Sequence, residues 1–139
     1  KFQRKLFDGP ALAELLCRDC QHLPDDIDAV LPVPLHWRRR WLRGFNQADE
    51  IAGPGAGHLA VPLIRAVRRV RATPFQSGLS ARERARNLRG AFDVRGELLA
   101  KHVLIIDDVI TTGATVRQLA RVLHQAGVDK VSALAVDRA

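Results

Sequence analysis

Apolar positions along this chain come in short blocks separated by glycine-, proline- and arginine-rich stretches, and each block has a readable period. From Pro10 to about Cys20, Leu12, Leu15 and Leu16 share one side, with Asp8 and Gly9 ahead of them, which predicts a helix. Ile27 to Val33 is a short apolar run bounded by Pro32 and Pro34, read as a buried strand. A basic loop, HWRRRWLRG, leads to a helix starting near Phe45, which Gly53-Pro54-Gly55 is expected to end or kink. Leu63 to Val70 reads as a second strand, and Arg71 to Gly90 as a polar, arginine-rich, mobile segment. Val103 to Ile106 is continuous and β-branched, as in a parallel sheet covered on both faces. Thr115 to Ala126 carries Val116, Leu119, Ala120, Leu123 and Ala126 on one helical stripe, and Gly127 is placed to stop it. Val131 to Val136 closes the pattern with a strand. Alternating strands and helices predict an α/β fold of three layers, a mostly parallel central sheet flanked by helices.

Composition narrows the class. At 139 residues the chain is one domain's worth, with a single core over residues 1–139. Hydrophobic residues make up 47% and charged residues 27%, ordinary for a globular protein, and no apolar run approaches the roughly 20 residues of a membrane helix. No signal peptide opens the sequence, so membrane insertion is not expected and a cytoplasmic setting is. Because the first residue is Lys1, a missing upstream segment is expected. Cys17 and Cys20 form C-R-D-C, but no second C-x-x-C completes a four-ligand zinc site; two reduced thiols near a helix end are the favoured reading.

Charge is unevenly distributed. Between Arg38 and Arg95 stand thirteen arginines against four acids, a net of +9 within a chain whose total is +7. Clustered arginine suits bidentate contact with phosphate, on a small molecule or on a nucleic-acid backbone. Aromatic residues in that span are few (Trp37, Trp41, Phe45, Phe75, Phe92) and tyrosine is absent, which weakens a base-stacking platform.

One stretch carries chemistry: VLIIDDVITTGAT, Val103 to Thr115. Adjacent carboxylates at the end of the most apolar run are costly unless a hydroxyl, a cation or a hydrogen-bond donor meets them. In parallel sheets, ligands bind beyond the carboxyl ends of strands, where Asp107 and Asp108 are expected to stand, after the strand and before a loop. Gly113 permits a tight turn, Thr111, Thr112 and Thr115 bring hydroxyls, and a helix N-terminus offers unpaired N–H groups. That combination cradles a phosphate, while the acids suit neighbouring hydroxyls or a metal, which together describe a ribose 5-phosphate.

These thirteen residues resemble the phosphoribosyl pyrophosphate (PRPP) signature of type I phosphoribosyltransferases. LPVPLHWRRRWLRGFNQADEIA and TPFQSGLSARERARNLRGAF are similar to the ComF/GntX family within that fold, so the resemblance covers nearly the whole chain. Members of that branch commonly carry a cysteine-rich zinc module upstream; Cys17 and Cys20 do not sit where it would be. The resemblance implies that Asp107 and Asp108 hold the ribose hydroxyls, and that Thr111, Thr112, Gly113, Ala114 and Thr115 hold the 5′-phosphate. It implies a pyrophosphate loop after Pro32-Val33-Pro34, with Arg40 and Arg43 as contacts. It further implies a flexible loop over the site from Arg71 to Gly90, with Gln76, Arg84 and Asn87 its most motif-like members and Arg84 a catalytic candidate.

The resemblance therefore implies a Mg²⁺-dependent transfer of phosphoribosyl from PRPP to a nitrogenous acceptor, linked to DNA uptake in competent bacteria. Mg²⁺ would be held mainly through the substrate, with Asp107 or Asp108 as the protein's possible contribution, so no dedicated metal site is expected. The five histidines show no ligand spacing and read as structural or surface residues. No Ser-His-Asp arrangement and no P-loop lysine is legible, which argues against a hydrolase or an NTPase. The competing expectation is a non-catalytic adaptor on the same fold, PRPP-responsive or binding single-stranded DNA or competence-machinery proteins through its basic middle.

Overall fold

The computed structural model describes residues 22–35, 47–71 and 78–138. The helix expected from Pro10, the cysteine pair, the basic stretch with Arg40 and Arg43, and Gln76 lie outside the described residues. Three parallel strands form the central sheet in the order β1 (Ala29–Pro32), β4 (His102–Ile110), β5 (Lys130–Arg138). The apolar continuity of VLII has a direct cause. Val103 and Ile105 face one layer, with Leu31, Leu119 and Leu123, while Leu104 and Ile106 face the other, with Val30, Ile51 and Ala52. Both faces are buried, so a polar residue at either set of alternating positions would need a hydrogen-bond partner.

Helix α1 (Gln47–Leu59) supplies one outer layer and helix α3 (Ala114–Gln125) the other. Of the expected end or kink at Gly53-Pro54-Gly55, the end does not occur: α1 runs through Pro54. Its packing face of Ala48, Ile51, Ala52, Gly55 and Ala56 is buried, whereas Gly53 and Pro54 are exposed, so tertiary burial on one side outweighs the proline's missing donor on the other. Helix α3 matches its expected span to within one residue at each end. Gly127, at φ 97°, terminates it by donating its N–H to the His124 carbonyl at 3.1 Å.

Two expectations for the middle of the chain are corrected. Leu63 to Val70 is not one strand. Leu63 adds a single parallel bridge beside Val30, and only β2 (Val67–Arg69) is a strand, pairing antiparallel with β3 (Phe92–Val94) as a separate two-stranded sheet. Arg71 to Gly90 likewise contains regular structure, helix α2 (Ala81–Asn87). Ser80 caps it: its hydroxyl accepts from the Glu83 N–H while the Glu83 carboxylate accepts from the Ser80 N–H at 2.8 Å, a reciprocal capping box. The hydroxyl proton of Ser80 also goes to Glu83, and these bonds hold the Glu83 carboxyl below its usual pKa. Leu88, Ala91, Phe92 and Val67 then enter the same core as Leu119 and Leu123, which fixes α2 and the β2–β3 pair against α3.

Candidate functional site

The site begins where β1 ends. β1 and β4 are paired from Ala29↔Val103 to Pro32↔Ile106, and beyond that point β4 continues with β5 alone, through Asp107↔Ala135 and Ile110↔Arg138. The acid pair therefore lies inside the strand, in an extension to Ile110, and not after the strand's end as the sequence suggested. The ladder to β5 carries the backbone onward, while β1 no longer flanks β4 beyond Ile106.

Asp107 is half-buried. Its carboxylate accepts the Asp108 N–H at 2.9 Å, and the Asp108 carboxylate accepts the Val109 N–H at 3.0 Å. Burial, and secondarily the neighbouring Asp108 carboxylate, push the Asp107 pKa up to about 7. Neither acid forms an ion pair among the described residues. A half-buried pair of hard oxygen donors without a cation suits sugar hydroxyls or a divalent metal. Two carboxylates supply only a minority of an octahedral shell, so such a metal would draw its other ligands from substrate and water. Among the described residues no three histidine, cysteine or acidic side chains gather as a metal-binding group.

Immediately after β4 the chain turns at Thr111–Gly113 into α3. Gly113 sits at φ 72°, a conformation that a side chain would strain, and its carbonyl accepts the Arg117 N–H at 2.9 Å. Gly113 offers no capping side chain and no acid occupies the first turn; Thr112 Oγ1 accepts the Ala114 N–H at 3.4 Å, and the other N-terminal N–H groups carry the helix's partial positive charge. A cleft of about 40 Å³ opens there, lined by Asp107 and by Val109 through Val116.

The structure thus brings together Asp107, Thr111, Thr112, Gly113, Ala114 and Thr115, with Asp108 adjacent along the strand but not lining the cleft. Arg84 and Asn87 lie on α2, exposed, and do not line it. Three residues not named for the site from sequence, Val109, Ile110 and Val116, also line the cleft; Arg117 does not, though its Nη1 lies 3.2 Å from the position a Gly113 Cβ would occupy. The four-residue spacing from Gly113 to Arg117, one helical turn, was the available signal.

A Ser-His-Asp line, which the sequence did not reveal, is present. The buried His102 ring contacts Asp26 through Nδ1 at 2.8 Å and the Ser132 hydroxyl through Nε2 at 2.8 Å. A carboxylate only accepts, so Nδ1 donates to Asp26, while Nε2 and the Ser132 hydroxyl share the second bond. Lys130 also pairs with Asp26, and Lys130 first, then His102, hold the Asp26 carboxyl down to about 2. The three residues are distant in sequence and meet at the start of β4, away from the cleft's lining. They tie the segment before β1 to β4 and β5, which makes His102 structural, as expected of the histidines.

A parallel sheet opened at the end of one strand, with acids leading through a glycine turn into a helix N-terminus, is, with the structural likenesses that follow, the arrangement of a phosphoribosyltransferase-fold domain. Solved structures share the architecture. An orotate phosphoribosyltransferase from Aeropyrum pernix aligns with TM-score 0.58 at 22% identity over 99% of this chain and 65% of that one. An adenine phosphoribosyltransferase from Saccharomyces cerevisiae aligns at 0.55 and 14% identity, over 94% and 68%. Both likenesses concern the fold alone. In sequence, the chain is 37% identical to competence protein F of Haemophilus influenzae, over all of this chain and 65% of that protein. It is 40% identical to the DNA utilization protein YhgH of Escherichia coli K12, over 94% of this chain and 60% of that protein. The phosphoribosyl transferase domain model matches residues 50–138, and the chain belongs to that family, in its competence protein F (ComF) branch. It spans somewhat under two-thirds of the length of these relatives.

Proposed function

We propose that this domain binds PRPP with Mg²⁺ and transfers its phosphoribosyl group to a nitrogenous acceptor, in a role connected with DNA uptake. The observation that carries the reading is that the end of β4 with Asp107, the Gly113 turn and the N-terminus of α3 line one cleft, with Asp108 next to it on the strand. In this reading Asp107 and Asp108 accept the ribose hydroxyls, and the backbone and hydroxyls of Thr111–Thr115 hold the 5′-phosphate. Mg²⁺, when bound, neutralises the pyrophosphate as it leaves. The chain's own part is to orient the ribose and to present polar and cationic side chains to the leaving group, the arginines Arg84 on α2 and Arg40 and Arg43 with the neutral amide of Gln76. No covalent nucleophile is needed.

Calorimetric titration of PRPP, with and without Mg²⁺, tests it on the wild type and on the Asp107→Asn, Asp108→Asn double variant. Saturable, Mg²⁺-dependent binding that the variant loses supports the site, and PRPP consumption with candidate nitrogen bases then tests transfer. Absence of binding under both conditions overturns it.

A second reading has its own observation. Arg82, Arg84, Arg86 and Arg89, on and just after α2, are exposed and have no carboxylate partner among the described residues. A non-catalytic adaptor would use them, with the basic residues 38–43, on a nucleic-acid backbone; YhgH is named a DNA utilization protein. It predicts salt-sensitive binding of single-stranded DNA that survives the double Asp change and falls when Arg38, Arg39 and Arg40 are neutralised.

A further inference from the structure

A second, larger groove lies at the start of β1, whereas the cleft lies beyond that strand's end, and the two share no lining residue. It holds about 460 Å³. Ala29 forms its floor, and the chain walls it on both sides of β1. One wall is residues 62–66, held along the strand because the Pro62 carbonyl accepts the Val30 N–H at 3.0 Å and the Ile64 N–H is donated to the Val30 carbonyl at 2.8 Å. The other wall is residues 97–100, which lead into β4 and end where the Asp28 carboxylate accepts the Lys101 N–H at 2.9 Å. The Arg95 N–H, donated to the Ala66 carbonyl at 2.7 Å, ties the two segments together. Small side chains at Ala29, Ala66 and Ala100 leave the space between them unfilled.

Leu99, on the second wall, is 82% exposed, more than any other large apolar side chain among the described residues. A lone exposed leucine is ordinary, but this one borders a groove lined by Pro62, Ile64 and Leu98, so knob and hollow form one apolar patch. Charge on the rim selects what covers it. Arg65, on the first wall, is exposed and commits only Nη1 to Asp49. Glu97, on the second, is exposed and has no hydrogen-bond or ion-pair partner among the described residues. A rim with a cation on one side and a free acid on the other matches neither a polyanion nor a uniformly charged surface, but it complements itself. We propose that this groove is half of a two-fold interface with a second copy of the chain. A two-fold axis running down into the groove sets residues 62–66 of one protomer against residues 97–100 of its partner, so Arg65 meets the partner's Glu97 and Leu99 enters the partner's apolar hollow. Each contact is made twice, and a self-complementary contact of this kind closes as a dimer and does not propagate. The interface stands apart from the cleft and does not depend on what the cleft binds.

Analytical ultracentrifugation of the purified chain across a range of concentrations tests it on the wild type, Leu99→Asp, Glu97→Arg and the Arg65→Glu, Glu97→Arg double variant, with melting temperatures measured in dilute solution. The wild type should show a monomer–dimer equilibrium. Leu99→Asp and Glu97→Arg should each weaken it by about tenfold or more, the first by placing a charge in the apolar hollow and the second by setting like charges together. The double variant restores opposite charges across the axis and should regain part of what Glu97→Arg loses. Leu99 and Glu97 are exposed, so their variants should melt with the wild type when dilute. A wild type that stays monomeric at every concentration overturns the proposal. So does a dimer that Leu99→Asp leaves intact, since it would use another surface, and so does a double variant no better than Glu97→Arg, since the two walls would not then face each other. Assemblies that keep growing with concentration rule out the two-fold contact. A melting temperature lowered by several degrees in dilute Leu99→Asp and Glu97→Arg assigns these residues a role within one copy and also overturns it.

Discussion

Replacing Asp107 by asparagine should stabilise the free domain at pH 8 and change it little at pH 4. The unfolded carboxyl ionises near 3.8 and the folded one near about 7, because burial and then Asp108 oppose its charge. Between those values the folded state holds one more proton than the unfolded state. The sign follows: the favourable contribution is fully present below pH 3.8 and is lost as pH rises through 7. A rise of about three in pKa corresponds to about 4 kcal/mol at 1.36 kcal/mol per pKa unit, and partial exposure of the carboxylate reduces this to about 2–3 kcal/mol. Asparagine keeps the oxygen that accepts the Asp108 N–H and never ionises, so it should avoid that cost. Urea unfolding followed by circular dichroism at pH 4 and pH 8 measures the difference. A gain for Asp107→Asn at pH 8 that vanishes at pH 4 supports the reasoning. An equal effect at both pH values, or a loss at pH 8, would refute it.

Two further outcomes follow from packing. His102→Leu should cost about 1–3 kcal/mol in urea unfolding, because it leaves the Ser132 hydroxyl and an Asp26 oxygen without their ring partner at the start of β4. Pro54→Ala should raise stability by about 2 kcal/mol in the same assay, since an exposed proline interrupts the interior of α1 and its removal restores a backbone donor; no gain would show that the helix is already relaxed around it.

Legibility differed by element, for physical reasons. The strand Val103–Ile106 and helix α3 were readable because their apolar spacing is complete within a dozen residues. Helix α2 also had a local signal, Ser80 followed three residues later by Glu83, but the density of arginine around it reads as loop. The β2–β3 pair had none, since three-residue strands joined across more than twenty residues depend on partners that neither segment announces. The Asp26–His102–Ser132 contact was hidden for the same reason, three isolated polar residues brought together only by the sheet. In the candidate site, Asp107 and the Thr111–Thr115 loop were legible as a contiguous motif.

By itself the sequence determined the α/β class, the parallel character of the central strand and the order acid pair, tight turn, helix, because each depends on periodicity and contiguity alone. Only the tertiary structure decided that β1 stops at Pro32 while β4 runs on to Ile110, which half-buries Asp107 and raises its pKa. It also decided that α1 survives its proline and that Arg117 lies over Gly113. Those outcomes come from how far neighbouring elements extend and what they cover, a property of the assembled layers that no local stretch of chain encodes.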